Sequence, residues 1–175
     1  MKKIKFIIVI IIFILSFITH FVYTYFPNFI TSIFFPVNES IWEHMKIIFT
    51  STLISTLIEY IIYKKKGINT NNLLISIPTI SILGIIFYLI TYSFLNIFIS
   101  HNFIITISLL LFTYIIMEIL SYIILNMKEI KYQKTIGIVL IILSYILFIY
   151  LTYYPPKTSL FIDTQTNTYG IKKTP

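Results

Sequence analysis

Five long apolar runs, separated by short polar clusters, organise this chain. They are Ile4–Phe26, Ile41–Tyr63, Leu73–Ile99, Phe103–Asn126 and Tyr132–Tyr153, and each is longer than the about 20 helical residues that cross a hydrocarbon core. The breaks carry turn chemistry: "FPNF", "KKKGINTNN", "SHN", "MKEIKYQK" and "YYPPK". The pattern predicts an all-α, polytopic bundle of five transmembrane helices, with a kink in the third where Pro78 and Gly84 interrupt it. Residues 1–154 form the membrane domain in this reading and 155–175 a C-terminal tail. The connection "PNFITSIFFPVNES" is too apolar for a freely solvated loop and should lie at the outer interface or dip back into it.

Composition points the same way. Hydrophobic residues make up 58% of the 175 and charged ones 11%, with a mean hydropathy of +0.93, far from a soluble domain. The net charge of +7 is no nucleic-acid footprint, because the lysines sit in short runs between apolar segments and not on one soluble face. Nine of the thirteen basic residues, Lys2, Lys3, Lys5, Lys64, Lys65, Lys66, Lys128, Lys131 and Lys134, fall on one side if the chain crosses five times. The positive-inside rule then places the N-terminus in the cytoplasm and the C-terminus outside, as expected of a multi-pass protein of a bacterial cytoplasmic membrane. The first run is too long for a signal-peptide core and has no A-x-A-like cleavage site, so it is expected to stay in place. With no cysteine, thiolate catalysis, disulfides and zinc-thiolate sites are excluded.

Depth, at 1.5 Å per helical residue, gathers the chemistry on the outer side. His20, His44 and His101 all lie there, joined by Glu39, Glu43 and Asp163 and by the neutral Asn38, Ser40, Asn96 and Asn102. Ser40, His44, Ser51, Ser55 and Glu59 fall within about 100° of one another on the second helix, a stripe that must face protein or water. Tyr114, Glu118, Ser121 and Tyr122 make a similar face, as do Tyr92, Asn96 and Ser100. Structural readings stand beside these. "SIWE" is a capping box with Ser40 as N-cap and Glu43 three residues on; Trp42 is an interfacial anchor; Glu43 can pair with Lys46. Glu59 can pair with Lys64–Lys66 one turn away, Lys46 can snorkel to the outer edge, and Glu118 has no lysine at its depth. The tail is either a disordered end or, given "LFI" ahead of Asp163, packed back on the outer surface near the histidines.

The segments "HFVYTYF", "FFPVNESIWEHMKIIF", "IEY" and "LFIDTQTNTYGI" resemble a bacterial multipass membrane family, domain of unknown function 6512. The N-E-S-x-W-E-H block is the specific part of that resemblance. It implies His20, Asn38, Glu39, Ser40, Trp42, Glu43, His44, Asp163, Tyr169 and Gly170 as the shared positions and does not include His101. Ser40-x-x-x-His44 also resembles the Ser/His spacing of zinc-dependent membrane amidases of the alkaline ceramidase type. Those carry a late His-x-x-x-His pair, and no histidine follows His101 here.

Three functions fit. One is a metal-dependent hydrolase of a lipid or lipid-linked substrate at the outer leaflet, with His20, His44 and Asp163 or Glu39 as metal ligands, Glu43 or Glu39 activating water, and Ser40 beside them as a catalytic residue. The metal is divalent, zinc favoured. Asn38, Trp42, Glu59, Glu118 and His101 complete the polar interior. The alternatives are a small transporter or ion-coupling protein, using Glu118 and Glu59 as a relay, and a non-catalytic membrane subunit whose polar groups fix helix packing. The lipid bilayer is the expected partner, nucleic acid is not, and the oligomeric state is left open.

Overall fold

A computed structural model describes residues 1–98 and 102–171. It is all-helical: α1 (Lys2–Tyr25), α2 (Phe29–Phe34), α3 (Ile41–Lys65), α4 (Leu73–Phe98), α5 (Phe103–Asn126) and α6 (Gln133–Tyr153). Five of these, all but α2, are long and apolar enough to cross a membrane. A spanning helix satisfies its backbone polar groups within itself, which is why the apolar runs and the helices coincide closely.

The helix α2 is one the hydrophobic pattern did not predict. Pro27 ends the preceding turn, and Asn28 and Thr31 form a reciprocal capping box, with Thr31 N–H donating to Asn28 Oδ1 at 3.0 Å and Asn28 N–H to Thr31 Oγ1 at 3.1 Å. Phe29 and Ile30 point outward while Ser32 is buried, its hydroxyl 3.0 Å from the Tyr153 hydroxyl of α6.

Four helices close a ring in which α1 packs on α3 and α5, and α4 packs on α3 and α5; α6 lies outside against α4. The least hydrophobic span, α3, is the most buried, with 61% of its apolar window inside against at most 44% elsewhere. Burial is what makes its polarity tolerable, since a polar side chain in a span must face protein. Ser51, Ser55 and Glu59 of the expected stripe are indeed buried, together with Thr50, Thr52 and Thr56. Ser51 meets Thr19 of α1 at 2.9 Å, and Thr50 meets the Tyr145 hydroxyl of α6 at 3.0 Å and donates to the Phe34 carbonyl. The outer surfaces are apolar, as Ile7, Ile10 and Ile14 on α1 and Ile138, Ile142 and Ile146 on α6 illustrate.

Several side chains depart from the depth-based expectations. Lys5 does not join the flanking lysines; it turns into the ring and pairs with both Glu59 (2.7 Å) and Glu118 (2.9 Å). Glu59 therefore pairs with α1 and not with Lys64–Lys66, and Glu118 does have a lysine at its level. Lys46 does not snorkel: it is fully buried, paired with Glu43 at 2.8 Å and donating to the Ser32 carbonyl. Asn96 is exposed, not inward. Helix α4 runs unbroken through Pro78. His101 and Ser100 lie outside the described residues.

The tail returns onto the start of α3. Trp42 N–H donates to the Leu160 carbonyl at 3.0 Å, the Trp42 ring stacks on Phe161 with centroids 5.1 Å apart, and Asn38 Nδ2 donates to the Gly170 carbonyl at 2.9 Å. An isolated antiparallel bridge, Ile162 to Tyr169, closes the intervening turn.

Candidate metal centre

The start of α3 is held by a short chain of hydrogen bonds. Ser40 is the N-cap, its hydroxyl accepting from Glu43 N–H at 3.3 Å. The reciprocal half of the capping box is missing. Asn38 Oδ1, not Glu43, accepts from Ser40 N–H at 2.9 Å. Asn38 thus ties the connector both to the cap and, through Gly170, to the tail. Thr164 of the tail donates to the Glu39 carbonyl at 3.3 Å. The backbone around Glu39 is fixed on both sides, which decides where its carboxylate points.

That carboxylate reaches between two histidines. Glu39 Oε1 lies 3.6 Å from His20 Nε2, near the end of α1, and Glu39 Oε2 lies 3.4 Å from His44 Nε2, in the first turn of α3. The imidazoles are stacked, with centroids 5.2 Å apart and planes 29° from parallel. One ligand atom from each of the three residues falls within 4.8 Å of the others, the one such group of three among the described residues. His44 Nδ1 lies 2.7 Å from the Ser40 carbonyl. A carbonyl can only accept, so Nδ1 carries the proton and, in the neutral ring, Nε2 presents its lone pair toward Glu39.

Charge-assisted hydrogen bonds bring nitrogen and oxygen to about 2.7–2.9 Å, and both of these contacts are longer, each to a different oxygen of the carboxylate. Ligands about 2.1 Å from a tetrahedral zinc ion stand about 3.4 Å apart, so one ion would draw together the three donor atoms that now lie within 4.8 Å of one another. Two imidazole nitrogens and a carboxylate oxygen are a donor set that zinc accepts, with a fourth position left over. The side chains are 23–34% exposed, so the group is reachable. When His44 is protonated, the Nε2–H it then turns to Glu39 and its charge, opposed by partial burial, hold the Glu39 carboxyl below its usual range.

Beneath the triad is a cavity of about 380 Å³, walled by apolar side chains of α1, α3, α4 and α5, among them Phe17, Ile48, Tyr88, Ile107 and Leu110. Thr164 and Gln165 of the tail stand at its rim with the three triad residues. A mostly apolar cleft of this size with few polar groups at one end is the usual form of a small-molecule site.

The other candidate residues are placed elsewhere. Asp163 is buried close to Glu39 but outside the triad; its carboxylate accepts from Gln165 N–H at 2.9 Å and from the Thr166 hydroxyl at 2.6 Å, shaping the tail's turn. Glu43 is buried, accepting from Val37 N–H (3.0 Å) and the Thr152 hydroxyl (2.6 Å) and pairing with Lys46. The Thr152 bond ties α3 to α6, the Val37 bond fixes the connector, and both Glu43 oxygens have a protein partner. Ser40 acts through its carbonyl on His44, and Trp42 packs on Phe148 and Phe161. Glu59 and Glu118 lie toward the opposite end of the bundle. Thr164 and Gln165 carry no sequence signal beyond the turn "DTQT", and it is the fold of the tail that brings them here.

Fold and cluster together define a class: a helical, multi-pass membrane protein with a His/Glu/His group on one face of the bundle. More particularly, the chain belongs to the family of unknown function DUF6512, whose family model matches residues 1–171. No curated protein and no solved structure matches it.

Proposed function

We propose that this is a protein of the bacterial cytoplasmic membrane, N-terminus inside, that binds a divalent cation through His20, Glu39 and His44 and hydrolyses a lipid or lipid-linked substrate at the outer leaflet. The observation that supports it is the convergence of the three residues: one donor atom from each of His20, Glu39 and His44 lies within 4.8 Å of the others. A bound zinc ion would supply Lewis-acid polarisation of a carbonyl or phosphoryl oxygen and a more acidic water.

The chain's own contribution is position and exclusion. The Ser40 carbonyl keeps the His44 lone pair on Nε2, Asn38 fixes the connector, and the apolar cavity takes the hydrocarbon part of the substrate while its polar part stays at the rim with Gln165. Glu43, engaged with Lys46, Val37 N–H and Thr152, has a structural part in this proposal.

Purified protein in lipid nanodiscs should carry one equivalent of zinc by mass spectrometry of the metal, and H20A, H44A and E39Q should each lose it. Vesicles of phospholipid or N-acyl sphingoid lipid, incubated with the zinc-loaded protein, should release cleaved product that H44A does not. Metal content indifferent to H44A would overturn the reading.

A further inference from the structure

A second group of ionisable side chains sits in the interior of the helix ring, toward the end where the chain begins. Lys5 Nζ lies 2.7 Å from Glu59 Oε1 and 2.9 Å from Glu118 Oε2 and donates to Ser121 Oγ at 2.6 Å. The three charged side chains are 6%, 1% and 3% exposed. We propose that Lys5, Glu59 and Glu118 are a binding site for a single proton, held on one of the two carboxylates inside the bundle.

The reason is charge balance. One ammonium cannot neutralise two carboxylates, so with all three ionised the group carries a net charge of −1. An uncompensated charge in a low-dielectric interior is strongly disfavoured even after relaxation, and more so where lipid and not water surrounds the bundle. Uptake of one proton leaves Lys5 as a cation, one carboxylate and one neutral carboxylic acid, and the site is neutral.

Among the described residues no other lysine is placed to do this. Helix α1 brings in only Lys5, since Lys2 lies over the Tyr122 ring and Lys3 is exposed. Helix α3 adds the neutral hydroxyl of Tyr63 beside Glu59, α5 adds Ser121, and α4 has no ionisable side chain between Leu73 and Phe87. Lys64, Lys65, Lys66, Lys128, Lys131 and Lys134 are exposed. Two hydroxyls stand by the carboxylates, Tyr63 beside Glu59 and Ser121, which accepts from Lys5 and keeps its own proton to donate, but a hydroxyl brings no charge and leaves the excess of one carboxylate in place.

Lys5, Glu59 and Glu118 join α1, α3 and α5, so occupancy by the proton decides which carboxylate Lys5 holds and hence how three helices are tied together. The proposal does not depend on the metal centre, which shares none of these residues.

Infrared difference spectroscopy on the full chain in lipid nanodiscs at neutral pH tests it. Both E59Q and E118Q leave Lys5 with a single ionised partner, so each should lose one equivalent of protonated-carboxyl stretch relative to wild type and no carboxylate stretch. Lys5→Met should gain one equivalent, because both acids are then neutral. The Gln variants keep the site neutral and should fold, with helicity checked by circular dichroism; they decide the question even if Lys5→Met does not fold. Loss of carboxylate stretch in E59Q and E118Q, with the protonated band unchanged, would overturn the proposal. So would displacement of the protonated band by sodium at constant pH, which would make the ligand a metal cation.

Discussion

The Ser40 carbonyl accepts the Nδ1–H of His44 at 2.7 Å, so the residue that caps α3 also selects which imidazole nitrogen faces Glu39. Capping and ligand orientation are thus one piece of local structure. The Ser40 carbonyl also accepts the His44 backbone N–H at 3.2 Å, so one carbonyl closes the first turn of the helix and orients the imidazole four residues on.

Asn38 touches no proposed ligand atom, yet it holds Ser40 N–H and the Gly170 carbonyl. Outer partners of a metal site generally contribute 10–100-fold in affinity. Asn38→Ala is expected to weaken zinc binding by about that factor while leaving the stoichiometry at one, as measured by competition with a chromophoric chelator. Unchanged affinity would show that the tail alone positions Glu39.

Acid should release the metal through the histidines and not through Glu39. Protonated His44 holds the Glu39 carboxyl below its usual range, so in acid Glu39 stays ionised below the ordinary glutamate value of about 4.3. Imidazoles, by contrast, must lose their proton to bind metal, and they ordinarily titrate near about 6.5. Zinc occupancy followed from pH 8 downward is therefore expected to fall around about pH 6, with two protons released per metal bound at lower pH. A midpoint near the carboxylate range would mean that the histidines are not ligands.

The sequence showed the spans and the polarity of α3 because both follow from local properties, hydropathy and a 3.6-residue period. It also brought His20, Glu39 and His44 to one level, since depth follows from counting residues along each helix. What it could not show is which neighbour each charge chooses. Lys5 and Lys46 sit near helix ends, where a lysine can either snorkel to water or turn inward, and only the packing of α1 on α3 and α5, and of α2 over α3, decides for burial. Glu39 and Glu43 are one helical turn apart and equally acidic. The choice between them rests on Val37 N–H and Thr152, contacts six residues and a whole bundle away. The helix α2 escaped because one and a half turns of apolar residues have no period long enough to read.

The Glu43–Lys46 pair is fully buried, so removing one charge should cost far more than removing both. Glu43→Gln leaves the Lys46 ammonium unpaired, a change worth about 3–5 kcal/mol in comparable buried pairs. Glu43→Gln combined with Lys46→Met should recover most of that loss. Thermal unfolding in detergent, monitored by the single Trp42, reads both variants. Additive loss in the double variant would mean that the two side chains act independently.

Two glycines face different consequences from the same added methyl group. At Gly137 of α6 a Cβ would stand 2.7 Å from the Leu74 carbonyl oxygen and 2.9 Å from Ile75 N, both backbone atoms of α4. Leu74 is also the residue whose carbonyl loses its helical donor to Pro78, four positions on, because proline has no N–H. Gly137 thus lets α6 approach α4 where the proline has freed that carbonyl. Gly137→Ala must push two helices apart, at a cost of about 1–3 kcal/mol. At Gly84 the methyl would meet only the buried Met117 side chain, a flexible thioether that can change rotamer, and Gly84→Ala is expected to cost less than Gly137→Ala. Unfolding temperatures of the two variants in the same detergent compare them directly. Equal losses would mean that the α4–α6 contact yields as easily as a methionine, and that Gly137 is not what sets the helix spacing.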